Sequence, residues 1–222
     1  MQGDSPNVTY GGWQQDYRRL FYSEEEDVLK VPIQLAPGFG VIKAGQALSL
    51  NGSASGESGL YFPYCPTSIT GLEQNTGRSY LVAPTVAGSN LIYVSLSDSW
   101  RYRVGDELYV QDNTTAAQNL GPITAIDRTS YTNMAKITVT NNAGVTVFAV
   151  TNFAFVAHKG YGVCATFSGK SVDTGVGEKA VGAGGIAILG NFVVYKNCLI
   201  NVDDDAMTDL GLKTIGIYAY IG

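Results

Sequence analysis

Charge is the first thing this chain lacks. Asp, Glu, Lys and Arg make up 15% of its 222 residues, against roughly 25% in an ordinary soluble protein. At a net charge of -5 it has no basic excess with which to neutralise phosphates, which argues against a nucleic-acid binder. Histidine is nearly missing. The single one, His158, excludes a multi-histidine metal site, and a Ser-His-Asp triad would have to be built on it. A hydrogen-bonded structural histidine is the simpler reading. The three cysteines, Cys65, Cys164 and Cys198, stand far apart with no CxxC, so neither a zinc site nor a disulfide framework is indicated. No apolar run approaches the ~20 residues of a membrane span. The opening stretch MQGDSPNVTYGG has neither the basic nor the apolar region of a secretory signal. The expectation is a chain made and kept in a reducing cytoplasm, with no cofactor, no metal and no membrane partner. The sequons at Asn7, Asn51 and Asn113 would then be idle.

What is present is glycine, 27 residues, and tyrosine, 14. Low charge with many glycines and aromatics suits a turn-rich β protein. The length allows one large domain or two small ones. Residues 1–27 differ from the rest. Tyr10, Trp13, Tyr17, Leu20 and Phe21 are spaced as a helical stripe, weakened by Gly11 and Gly12. They lie between a polar start and the acidic run SEEED. One reading is a terminal helix packed on its own domain. The other is an arm that docks on a partner through Tyr10, Trp13, Tyr17, Arg18, Arg19, Phe21 and Tyr22, since aromatics and Arg anchor interfaces.

From residue 28 onward, short apolar or alternating runs separated by Pro-Gly and Gly-Ser turns predict strands. Residues 81–157 read as a module of their own. NLIYVSL, DELYVQD, PITAID, AKITVT, VTVFAV and FAFVA recur with turn residues between them, predicting a small antiparallel barrel or sandwich. Its carboxylates fall mainly at strand ends, where solvated turn residues are expected. Trp100, Tyr102 and Tyr131 are the aromatics that could stack on a sugar there. After it, GKSVDTGVGEKAVGAGG reads as a long glycine-rich loop and IAILGNFVVYKNCLI as a long bent strand. GVGEKA matches the loose dinucleotide fingerprint, but that chemistry needs a helix next, and VGAGG will not hold one.

The run NVDDDAMTDLG concentrates acid in a charge-poor chain. As a calcium loop starting at Asp203 it fails, with Met207 at the fifth position and Thr214 where a bidentate Glu is required. Adjacent acids at a helix start also diverge, which suits glycoside hydrolysis poorly. A helix start explains more. Asp203 or Asp204 can cap the orphan amides, and Asp205 suits the positive end of the dipole. Ala206, Met207, Leu210 and Leu212 would form the buried face, with Gly211 ending the helix.

GVCATFSGKSVDTGVGEKAVGAGGIAILGNFVVYKNCL followed by DDDAMTDLGLKTIGIY resembles the head decoration proteins of tailed bacteriophages, the lambda-like type. VPIQLAPGFGVIKAGQALSLN resembles that family's first half, so the resemblance covers about residues 28–64 and 160–222. It implies a compact β-rich, β-tulip or barrel-like fold with one short helix, assembled as a homotrimer. It also implies a cement role on the outer capsid surface of the virion, with the major capsid protein as partner and an N-terminal arm that docks on the shell. The chain departs from the family in its aromatic arm and in the β-module. The expected organisation is an arm (1–27), a discontinuous core (28–80 and 158–222) and an inserted β-domain (81–157). No enzymatic constellation is expected. The competing expectation is an adhesion module of a phage fibre or spike that binds a glycan or receptor.

Overall fold

The computed structural model describes residues 30–50, 60–66, 77–111, 117–141, 147–156, 160–164, 171–188 and 199–209. The arm, His158 and the expected closing strand TIGIYAYI lie outside the described residues. The described chain is mainly β with one short helix. In chain order the strands are β1 (Lys30–Leu35), β2 (Val41–Ile42), β3 (Ala47–Leu50), β4 (Leu60–Pro63), β5 (Ser79–Tyr80), β6 (Leu91–Ser95) and β7 (Glu107–Gln111). They continue with β8 (Gln118–Asp127), β9 (Met134–Val139), β10 (Phe153–Phe155), β11 (Gly160–Cys164), β12 (Val172–Asp173) and β13 (Ala183–Ile188), then the helix α1 (Asp204–Asp209).

Five strands close a barrel in the order β1-β13-β11-β3-β4. Its neighbours are antiparallel except β1 and β4, whose parallel pairing of Gln34 with Leu60 and Leu35 with Tyr61 completes the ring. A second sheet of six antiparallel strands has the order β5-β10-β7-β8-β9-β6. A single bridge from Leu81 to Val94 joins its two ends, so it is nearly closed as well. β8 serves both halves of this sheet. Gln118, Asn119 and Pro122 pair with β7, and Ile123 onward pairs with β9. The two pairings overlap over 120–123: the Leu120 and Pro122 carbonyls accept from Asn141 and Thr140 beyond the end of β9, while the Ile123 amide donates to Asp106 O just before β7.

Alternation sets the faces. Ile92 and Val94 on β6, and Ala135, Ile137 and Val139 on β9, point inward and are buried. β10 breaks the pattern because both of its faces are covered. Ala154 joins the main core, while Phe153 and Phe155 pack with buried Cys65 in a separate cluster. The main core is continuous across the two sheets. Leu35, Phe39, Leu48 and Phe62 from the barrel side belong to one cluster with Ile92, Leu108, Leu120 and Ile137.

Two expected elements differ. The glycine-rich loop is partly structured: Val172 and Asp173 pair with Ile42 and Val41, and Gly177–Lys179 form a 3-10 turn. The described part of VTVFAV, 147–150, is not a strand. Phe148 instead exchanges two hydrogen bonds with Thr85: its carbonyl accepts from the Thr85 amide, and its amide donates to the Thr85 hydroxyl. A side-chain acceptor has replaced a ladder partner there, which interrupts regular pairing.

Candidate functional site

Three segments meet where the barrel joins the six-stranded sheet. The first is the turn after β1, in which Gly38 sits at φ 90°. A Cβ there would come within 3.1 Å of the Trp100 carbonyl and the Arg101 amide nitrogen, so the turn needs glycine for both conformation and clearance. The second is the 3-10 turn Asp98–Arg101 that follows β6. Arg101 Nε donates to Gly38 O at 3.1 Å, Nη1 to Arg78 O at 2.7 Å, and Nη2 pairs with Asp98 at 3.0 Å. Its guanidinium also lies 5.3 Å from the Phe39 ring centroid. The third segment carries GVGEKA. Thr174 is fully buried; its hydroxyl accepts from the Phe39 amide at 3.1 Å and donates to Gly40 O at 2.9 Å. The fingerprint residues therefore build a tight turn against the barrel. The Cβ of any residue replacing Gly175 would overlap the Lys179 carbonyl.

The three aromatics named for sugar stacking do not form one platform. Tyr102 is only 2% exposed and its hydroxyl donates to Ala154 O at 3.0 Å. Burial pushes its phenol far above the ordinary range, and it is a core residue unavailable to a ligand. Trp100 is half-buried, with the Arg128 guanidinium 4.7 Å from its ring centroid. Arg128 is itself held by Ser99 Oγ (2.9 Å), Ser99 O (2.8 Å) and Tyr102 O (3.1 Å), and burial lowers its pKa. Tyr131 is half-buried and meets Tyr93 edge-on at 5.9 Å. Tyr93 was legible in the sequence as the outward position between Ile92 and Val94, but no aromatic partner is visible there until the β8–β9 turn folds over it. Beside this pair, Lys136 stands opposite both Tyr93 and Asp127 in the ladder and reaches Asp127 at 3.6 Å. Hydrogen bonds from Ser130 and Thr129 hold the Asp127 carboxyl well below the usual range.

The acid run acts as a helix start. Asp203 Oδ1 accepts from the Ala206 amide at 2.8 Å and from the Tyr64 hydroxyl at 2.9 Å. Asp203 is thus the cap, while Asp204 and Asp205 are exposed in the first turn. Ala206 is buried against Ala47 and Tyr64. Leu210, Gly211 and Leu212 lie outside the described residues. Among the described residues no group of three or more His, Cys, Asp and Glu is placed to hold a metal ion. No helix among them is long and apolar enough to cross a membrane. Cys65 is buried, and desolvation pushes its thiol up to about 12 despite contact with Arg78, so it is a poor nucleophile.

One surface feature went unread in the sequence. The segment after β5 runs beside the segment before β10, through Leu81 N to Asn152 O and Thr85 N to Phe148 O. It leaves Tyr80, Val82, Val86, Val147 and Val150 exposed. Spacing within either segment does not reveal this, because the two are more than sixty residues apart. In comparisons with protein-family models, curated proteins and solved structures, none matches this chain.

Proposed function

We propose that this protein is a structural component of a phage virion, a cement that binds the outer capsid surface as a trimer and holds the head together. The observation that carries the reading is where the arm joins the fold. Residues 1–27 run into β1, which is hydrogen-bonded to β13 along its whole length from Lys30 to Leu35. Tension on the arm therefore passes directly into the barrel ladder. The other end of β1 leads into the Gly38 turn clamped by Arg101. Six residues of strand separate the two ends, about 17 Å at ~3.3 Å per residue. An arm docked on a shell would thus place the six-stranded sheet on the side remote from its attachment. Three arms on one trimer raise the effective concentration of each contact, so weak single contacts sum to firm binding.

Deleting residues 1–27 is expected to leave a folded protein that no longer co-sediments with empty expanded heads. Full occupancy by the truncated chain would sink the arm reading. A second reading, glycan adhesion, is favoured by one observation: Tyr93, Tyr131, Lys136 and Asp127 share the outward face of the six-stranded sheet. Saturable glycan binding lost in Tyr93→Ala and in Tyr131→Ala would favour adhesion through this face. Silence on a glycan array would favour cement.

A further inference from the structure

Arg128 carries a charge that no described residue balances. Its Nε donates to Ser99 Oγ at 2.9 Å, and its Nη2 donates to Ser99 O at 2.8 Å and to Tyr102 O at 3.1 Å. All three acceptors are neutral. The acids beside these residues in the chain are committed elsewhere. Asp98 pairs with Arg101, and Asp127 pairs with Lys136 while accepting from the Thr129 and Ser130 amides. Among the described residues no carboxylate pairs with Arg128, and its Nη1 hydrogens have no acceptor. The Trp100 ring lies against the guanidinium, 4.7 Å from Cζ to the centroid. Among the described residues the indole Nε1–H likewise has no acceptor, and both nitrogens are open to solvent.

A surface arginine ordinarily extends into water and keeps its side-chain entropy. This one is locked. Ser99 Oγ donates to Leu96 O at 2.7 Å, which orients it to accept from Nε, and the indole braces the guanidinium. A planar guanidinium fixed through Nε and Nη2, with Nη1 unused, is preorganised for an oxyanion. Burial lowers the Arg128 pKa, so the charge is held in place at a cost that a bound anion would offset. One guanidinium supplies one positive charge. It matches a monoanion, a carboxylate or a sulfate ester, better than a phosphate dianion.

We propose that Arg128 Nη1 and Trp100 Nε1 form a binding site for one oxyanion group, the carboxylate or sulfate ester of a small acidic ligand. The site goes beyond the cement reading and shares no residue with the Tyr93–Tyr131 face. The test is a nitrogen-15 NMR titration of the full-length protein with sodium glucuronate and with sodium methyl sulfate. Glucose is the neutral control, and sodium chloride holds the ionic strength constant. The signals read are the Trp100 indole N–H, assigned by its loss in Trp100→Phe, and the Ser99 amide. A saturable shift is expected with at least one of the two anions and with neither glucose nor chloride. Glucuronate alone would identify a carboxylate site, and methyl sulfate alone a sulfate site. Arg128→Gln should abolish the shift. Arg128→Lys keeps the charge but not the planar fork, and should weaken binding about tenfold, the loss of a charged hydrogen bond. Because R128Q also releases Ser99, Trp100→Phe serves as the second arm. It keeps a ring under the guanidinium and removes one donor, and should weaken binding about tenfold on the Ser99 amide. Absence of a saturable wild-type shift with both anions overturns the proposal. So does wild-type affinity in R128K or W100F, binding retained in R128Q, or an equal shift with glucose.

Discussion

Tyr64 and the amide of Ala206 share one oxygen of Asp203, and that single carboxylate ties the C-terminal helix to the barrel. The sequence left the cap between Asp203 and Asp204, because either precedes the helix by a plausible offset. Only the position of Tyr64, 139 residues away, decides it. Asp203→Ala is expected to cost about 1–2 kcal/mol in urea unfolding, combining the lost cap with the lost tyrosine partner. Asp204→Ala should stay within about 0.5 kcal/mol. Tyr102 gives a pH prediction. Its phenol ionises near 10.0 when unfolded and is held well above that in the fold by burial. The stability this contributes is complete below pH 10 and declines as pH rises beyond it, because the unfolded chain releases the proton first. Tyr102→Phe should cost about 1–2 kcal/mol at neutral pH through the unpaired Ala154 carbonyl, with a shallower alkaline decline in the melting temperature.

At the scale of elements, the junction depends on conformations that few residues can adopt. Arg101 supplies donors to carbonyls of two segments that neither touch in sequence nor belong to its own turn. Arg101→Met keeps the stem and removes the donors. A loss of about 2 kcal/mol is expected from charged hydrogen bonds of this kind, measured by chemical unfolding. Gly175 at φ 64° packs against the Lys179 carbonyl. Gly175→Ala combines left-handed strain of about 1–2 kcal/mol with overpacking of about 1–3 kcal/mol. It should lower the melting temperature more than Arg101→Met. A result near wild type would mean the turn re-forms without the close approach. GVGEKA looks like a nucleotide fingerprint because both uses of glycine solve one problem, close approach of backbone.

For the whole molecule, the decisive feature is that two β-systems share one core. Phe39 is 2% exposed, meets Phe62 edge-on at 5.9 Å and belongs to the same cluster as Ile92 and Leu108. Phe39→Ala is expected to cost about 3–5 kcal/mol. Calorimetry should show one transition for wild type and one, at lower temperature, for the variant, with van't Hoff and calorimetric enthalpies equal. Two resolved transitions would show that barrel and sheet unfold independently despite the shared cluster.

The sequence by itself determined that the protein is mainly β, through period-two alternation and turn residues every few positions. It also determined that DDDAMTD starts a helix, because capping and dipole effects act within one turn. NLIYVSL and AKITVT read as strands, and their alternation matches the buried Ile92, Val94, Ala135, Ile137 and Val139, since burial on one side of a strand writes itself into every second residue. The tertiary structure decided the rest. Tyr102 reads as a surface aromatic beside charged neighbours, and only the packing of β10 over it makes it core. FAF cannot announce burial on both faces, because the cover comes from Cys65 in a distant segment. The exposed valine ribbon likewise exists only once two charge-free segments are hydrogen-bonded side by side. Local periodicity records what each residue faces in its own element. Which distant element supplies that face is set by long-range pairing, and no single stretch of sequence contains it.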